Sequence, residues 1–184
     1  MIWAEDKKQE NIAEYMIYMY QTEDLIRSFQ FDLDALIEHY VRPQLADDSF
    51  LEANRAWYAE LLAQMKREKL TEKGHLHQLN EILVELSYLH NTLLNIANDQ
   101  KYRELCERAE EHIAMFREKS NLKEKNNIEV MFHAMYMKLL LRIKKQEISS
   151  ETEESFDAMR ICLAYLSRIY HSMKRGDMSF MNNN

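Results

Sequence analysis

The chain has 184 residues, 46% of them hydrophobic, and a formal net charge of −7; that length suits one ordinary domain and suffices to bury a core. Only two residues are glycine and one is proline, so tight β-hairpins, which rely on glycine for positive φ, have almost nothing to turn on. The acidic balance disfavours nucleic-acid backbones and anionic lipid surfaces as partners.

Abundant Leu, Met, Ala, Glu, Lys and Gln favour helix instead, and the elements follow in chain order. The start, Met1-Ile2-Trp3-Ala4-Glu5-Asp6, has no apolar stretch of signal-peptide type. A first helix is predicted from about Glu10 to about Phe29. Ile12, Tyr15, Met16, Met19 and Ile26 form one stripe, and Ile17, Tyr18, Tyr20, Leu25 and Phe29 fill much of the other side. Within it, Tyr15 to Tyr20 is the longest apolar run, far short of the roughly 20 residues that span a bilayer. Asp32 is predicted to cap a short helix that Pro43 ends, and Asp48 to cap a third with Phe50, Leu51, Trp57, Tyr58, Leu61, Leu62 and Met65 on its buried face. After Gly74, a fourth carries Leu76, Leu79, Ile82, Leu83, Leu86, Leu89, Leu93 and Ile96. Asp99 caps a fifth, with Tyr102, Leu105, Cys106, Ala109 and Ile113 inward. Glu118 to Asn127 reads as the main loop, and a sixth helix begins near Asn127. The seventh opens on a capping box, Ser150-Glu151-Thr152-Glu153. The reading is all-α, a single antiparallel-type bundle of about seven helices over residues 1–173, with 174–184 as a disordered tail. No repeat of solenoid length emerges, and Cys106 and Cys162 read as buried free thiols of a cytoplasmic protein.

Catalytic signatures are weak. Glu72 and His75 have the spacing of a di-iron ligand pair, but Gly74 interrupts them. Glu129 and His133, one turn apart, read as a surface pair more readily than as metal ligands, and no metal or other cofactor is expected. Glu104, Glu107 and Glu110, and Glu151, Glu154 and Asp157, stack carboxylates in the manner of helical magnesium-dependent pyrophosphohydrolases. Lys101, Arg103 and Arg108 interleave with the first row, and the second lies in the first turns of its helix, where carboxylates oppose the dipole anyway. No glycine-rich phosphate loop or nucleophile elbow is present. Arg175-Gly176-Asp177 spells an adhesion tripeptide by coincidence.

Polar residues on core faces say more. Glu23 continues the inward stripe of the first helix. Asn54 falls between Leu51 and Trp57, His90 between Leu86 and Leu93, and Arg142 follows Met135 and Leu139. Buried polar groups need partners. With Arg27 these four make a candidate central polar cluster: either a structural network or a pocket for a polar ligand. Helix phase predicts that Glu23 pairs with Arg142, or failing that with Arg27.

The segments Asn11-Ile12-Ala13-Glu14-Tyr15, Glu23-Asp24-Leu25-Ile26-Arg27, Trp57-Tyr58, Gly74-His75-Leu76, Leu89-His90, Leu139-Leu140-Leu141-Arg142 and Glu147-Ile148-Ser149 resemble a bacterial, Bacteroidetes-type family catalogued as a domain of unknown function. The resemblance implies a helical, cytoplasmic protein and carries no activity or catalytic residue.

Two readings follow. The first is a non-enzymatic interaction or scaffold protein that self-associates, most simply as a homodimer, because Trp3, Phe180 and many methionines exceed what a core of this size holds. A protein partner is compatible with it. The alternative is a small-ligand-binding or magnesium-dependent protein using the polar cluster or the acidic rows.

Overall fold

The computed structural model describes residues 2–177 and is 79% helical, with no strand among the described residues. In chain order the helices are α1 (Ile2–Glu10), α2 (Ile12–Ser28), α3 (Leu33–Leu36), α4 (Leu51–Arg67), α5 (His77–Asn95), α6 (Gln100–Lys119), α7 (Asn127–Ile143) and α8 (Ser150–Lys174). A π-helical turn (Ile37–Val41) and two 3₁₀ turns (Arg42–Gln44, Asp48–Phe50) link α3 to α4. α8 is the longest helix and packs against α2, α5, α6 and α7, while α4 lies over α3 and the π turn. One apolar cluster runs through α1 to α8 and the π turn, with Leu45 of the link between the 3₁₀ turns packed against it, whereas Phe50 and Ile96, expected inward, are exposed because they lie at helix ends beyond the packed faces. Its best-covered large side chains include Tyr102, Phe132, Met16 and Met65.

Several boundaries differ from the expectation. The expected first helix begins near Glu10, whereas the chain is already helical from Ile2 as α1, whose Ala4 is buried in the core. The cap before α4 is Asp47, which accepts from Ser49 N–H, not Asp48. At α8 the cap is Ser149, whose Oγ accepts from Thr152 N–H, so the predicted Ser150–Glu153 box is displaced by one residue. The box that does form is Asn126–Glu129, at the start of α7. α6 runs on through Glu118 and Lys119, which had been placed in the loop, and α8 reaches Lys174, into the expected tail. Residues 178–184, Phe180 and the Trp3 side chain lie outside the described residues.

The scarcity of glycine shows at the helix ends. α4, α6 and α7 close with a left-handed residue followed by an amide reaching back five residues: Leu70 to Met65, Leu122 to Arg117 and Gln146 to Leu141. The left-handed positions are held by Lys69, Asn121 and Lys145, and only α8 has glycine there, Gly176. Non-glycine residues tolerate this conformation at a cost, so the stop signals are real in the fold but faint in the sequence.

The α1–α2 junction depends on a neutral histidine. Asn11 caps α2 through Ala13 and Glu14 amides and accepts from Ser167 Oγ on α8 at 3.0 Å. Beside it, Ile12 N–H donates to His171 Nε2 at 2.8 Å. Burial, then Arg175, lowers the His171 pKa, while burial, then His75, lowers that of His133. A depressed histidine stabilises the fold above its unfolded pKa of about 6.5, and that contribution is lost as pH falls. The urea midpoint is therefore expected to drop between about pH 7.5 and about pH 5.5, and to drop less in His171→Gln. A flat or rising midpoint would contradict the assignment.

Candidate functional site

The sequence placed Glu23, Arg27, Asn54, His90 and Arg142 together; the fold disperses them. Glu23 is fully buried as expected, but its partner is not Arg142. Its Oε2 meets His75 Nδ1 at 2.6 Å and its Oε1 accepts from Leu76 N–H at 2.9 Å. Gly74, at φ +91°, supplies the turn that delivers both groups. Arg142 points to solvent at 63% side-chain exposure and sits 3.5 Å from Glu153. The reason is phase: the cation turned inward on α7 is Lys138, which reaches Glu153 at 2.6 Å and Asp157 at 3.2 Å. The apolar residues Leu139, Leu140 and Leu141 that surround Arg142 in sequence are themselves only half-buried.

Arg27 also fails to contact Glu23. It bonds Asp24 at 2.7 Å, Leu70 C=O at 3.1 Å and Gly74 C=O, which clamps the α4–α5 loop onto α2. Around this clamp, Tyr20 stacks on the His75 ring at 3.8 Å and Tyr136 O–H donates to Asp24 at 2.6 Å. Both carboxylate oxygens of Glu23 are therefore engaged within the protein, and the network holds the loop. Glu129 accepts from Asn126 N–H and Lys125. Glu104, Glu107, Glu110, Glu151 and Glu154 are exposed, and Asp157 serves Lys138 and Arg160.

Asn54 is different. It is 4% exposed, and its Nδ2 donates to Phe50 C=O at 2.7 Å, which fixes the orientation of the amide. Its Oδ1 is buried with no hydrogen-bond partner among the described residues. Such an atom is expensive to bury, by about 1–3 kcal/mol, and asks for a reason. Asn54 lines a cavity of about 680 Å³ bounded by α2 (Tyr18, Thr22, Leu25), the π turn (Tyr40, Val41), the following link (Leu45), the second 3₁₀ turn (Phe50) and α4 (Tyr58), with Lys7 also in the lining. The size falls within the range of small-molecule sites.

The cavity follows from the link after α3. Pro43 lacks an N–H, and its ring crowds the carbonyl four residues earlier. The backbone there widens instead of continuing as α-helix, with Arg42 N–H bonding Ile37 C=O. Such π turns recur at functional positions. This one directs Tyr40 and Val41 toward the face of α2 opposite Glu23. Burial raises the pKa values of the Tyr18 and Tyr58 phenols above the ordinary value, so both are neutral hydroxyls. Among the described residues, no carboxylate, histidine or cysteine lines the cavity. Of the five residues singled out in the sequence, only Asn54 belongs to it. The π turn carried no signal beyond Pro43.

His90 lies elsewhere. Its Nδ1 is 2.8 Å from Tyr102 Oη, in a cluster where Cys106 and Cys162 meet. Cys162 is buried as expected, but Cys106 is only half-buried.

A family model described as a domain of unknown function, DUF4924, matches residues 1–177, and the chain belongs to that family. No curated protein and no solved structure matches it. No helix of the described residues is long and apolar enough to cross a membrane.

Proposed function

We propose that this member of the DUF4924 family is a binding protein for a compact, largely apolar molecule that carries an N–H or O–H donor. The observation that supports the reading is the buried Oδ1 of Asn54, unpaired among the described residues, in the wall of a largely apolar cavity. A donor on the ligand satisfies that acceptor, while Tyr18, Leu25, Val41 and Tyr58 cover the body. Lys7 in the lining, 3.5 Å from Glu14, offers a cation to a ligand that also bears an anionic group. With no carboxylate, histidine or cysteine in the described lining, we read the role as binding rather than catalysis. Self-association, the reading favoured by composition, has a smaller basis: Val84 and Tyr88, one turn apart on α5, are 69% and 71% exposed.

The test is titration with anilinonaphthalene sulfonate, which combines a bicyclic apolar body, one N–H and an anion. Wild-type protein is expected to bind one equivalent with fluorescence enhancement. Leu45→Trp, which places a large ring in the cavity from an irregular segment, is expected to abolish binding with little loss of stability. Unchanged binding in Leu45→Trp would place the probe elsewhere and remove the support for this reading.

A further inference from the structure

Away from the cavity, α5, α6 and α8 bring together a second set of chemical groups. Cys106 on α6 and Cys162 on α8 are 56 residues apart, yet their sulfurs stand 3.4 Å from each other. A disulfide requires about 2.05 Å, so the two sulfurs need to approach by only about 1.4 Å. The pair is asymmetric. Cys162 is fully buried, whereas Cys106 is half-buried and within reach of solvent.

His90 and Tyr102 stand beside the two sulfurs, hydrogen-bonded to each other, and both favour charge on Cys106. Tyr102 is fully buried, bonded to His90 Nδ1 at 2.8 Å and stacked on Tyr165 at 5.6 Å. Tyr165 O–H in turn donates to Asp99, which caps α6. The donors are thus fixed by packing before any reaction begins. Cys162 first, then His90 and Tyr102, hold the Cys106 thiol down to about 5 against the effect of burial. The hydrogen bond with Cys106, together with burial, pushes the Cys162 thiol up. A thiolate open to solvent beside a protonated, buried thiol is the arrangement of an attacking and a resolving cysteine.

We propose that Cys106 and Cys162 form a hydroperoxide-reactive dithiol, with Cys106 as the attacking sulfur and Cys162 as the resolving one. The Cys106 thiolate attacks the terminal oxygen of a hydroperoxide. An S–O bond forms and the O–O bond breaks. The departing alkoxide takes up a proton equivalent to the one that Cys106 lost on ionisation and leaves as an alcohol, or as water if the oxidant is hydrogen peroxide. Sulfur has then given up two electrons and is a sulfenic acid. Cys162 loses its proton and attacks that sulfur; the S–S bond forms, the S–O bond breaks, and hydroxide leaves with the proton as water. The sum is two thiols and one hydroperoxide giving a disulfide, an alcohol and water.

The experiment treats fully reduced full-length protein with one equivalent of hydrogen peroxide and follows intact mass and free thiols. Wild type is expected to lose the mass of two hydrogen atoms per chain, with no crosslink between chains. Cys162→Ser should gain one oxygen atom, trapped by dimedone, and Cys106→Ser should keep its remaining thiol. For a thiolate with a pKa of about 5, the rate at pH 6 should stay within about twofold of that at pH 8. An ordinary thiol of pKa about 8.5 would slow about 75-fold over the same interval. His90→Gln is expected to reduce the rate at pH 6 severalfold. Retention of both thiols in wild type would overturn the proposal without reference to any variant. So would a rate that falls like that of an ordinary thiol, or one zinc ion bound per chain through both sulfurs.

Discussion

Glu23→Ala is expected to lower the unfolding free energy by about 3 kcal/mol, near the lower end of the range for breaking a buried charged contact. Glu23 is fully buried, and its two oxygens hold different parts of the α4–α5 loop, one the His75 ring and the other the Leu76 amide. Leu76 is itself fully buried, so truncation leaves its N–H with no water to replace the lost acceptor. His75 is partly open, at 24% side-chain exposure, and water recovers some of its share; that keeps the loss from the upper end of the range. Glu23→Gln retains a carbonyl for Leu76 and is expected to lose about 1 kcal/mol. Arg142→Ala supplies the contrast, because its contact with Glu153 is exposed and screened and is worth at most about 1 kcal/mol. Urea unfolding of the three variants decides the matter. A Glu23→Ala loss below about 1 kcal/mol, or an Arg142→Ala loss equal to it, would mean that the carboxylate does not anchor the loop.

Glu23 also shows where sequence reasoning stops. Its inward direction follows from its distance to Ile12 along one helix, because the period of 3.6 residues ties positions on the same helix to one another. Its partner does not follow, because that depends on the rotation of another element. Arg142 seemed inward because its neighbours are apolar, but α7 turns Lys138 to the core instead. The partner of Glu23 comes from a loop, His75-Leu76, where no periodicity exists to read. Asn54 was legible by the same phase argument as Glu23, and so was Asp99 as the α6 cap. The π turn was not, since only the packed fold shows that the chain widens before Pro43. The Cys106–Cys162 contact joins residues 56 positions apart on two helices that the periodicity anticipates, but no signal in the sequence links them.

Asn54→Leu is expected to stabilise the protein by about 1–2 kcal/mol while weakening the cavity's hold on anilinonaphthalene sulfonate about fivefold to tenfold. The two side chains are close in size, so neither a void nor a clash is introduced. What changes is the buried oxygen. In the wild type Asn54 Oδ1 is shielded from solvent with no hydrogen-bond partner among the described residues, and its removal relieves that penalty. The Nδ2 bond to Phe50 C=O is lost as well, but that carbonyl lies at the start of α4, where the helical amide of residue 54 still serves it. The net gain is therefore a fraction of the desolvation penalty. Binding moves the other way, since leucine offers nothing to the probe's N–H. Stability gained at the expense of affinity is the sign of a residue kept for a ligand rather than for the fold. Thermal or urea unfolding, paired with the fluorescence titration, measures both halves. If Asn54→Leu destabilises the protein and leaves the titration unchanged, Asn54 is a structural residue and the cavity is not a binding site for this class of molecule.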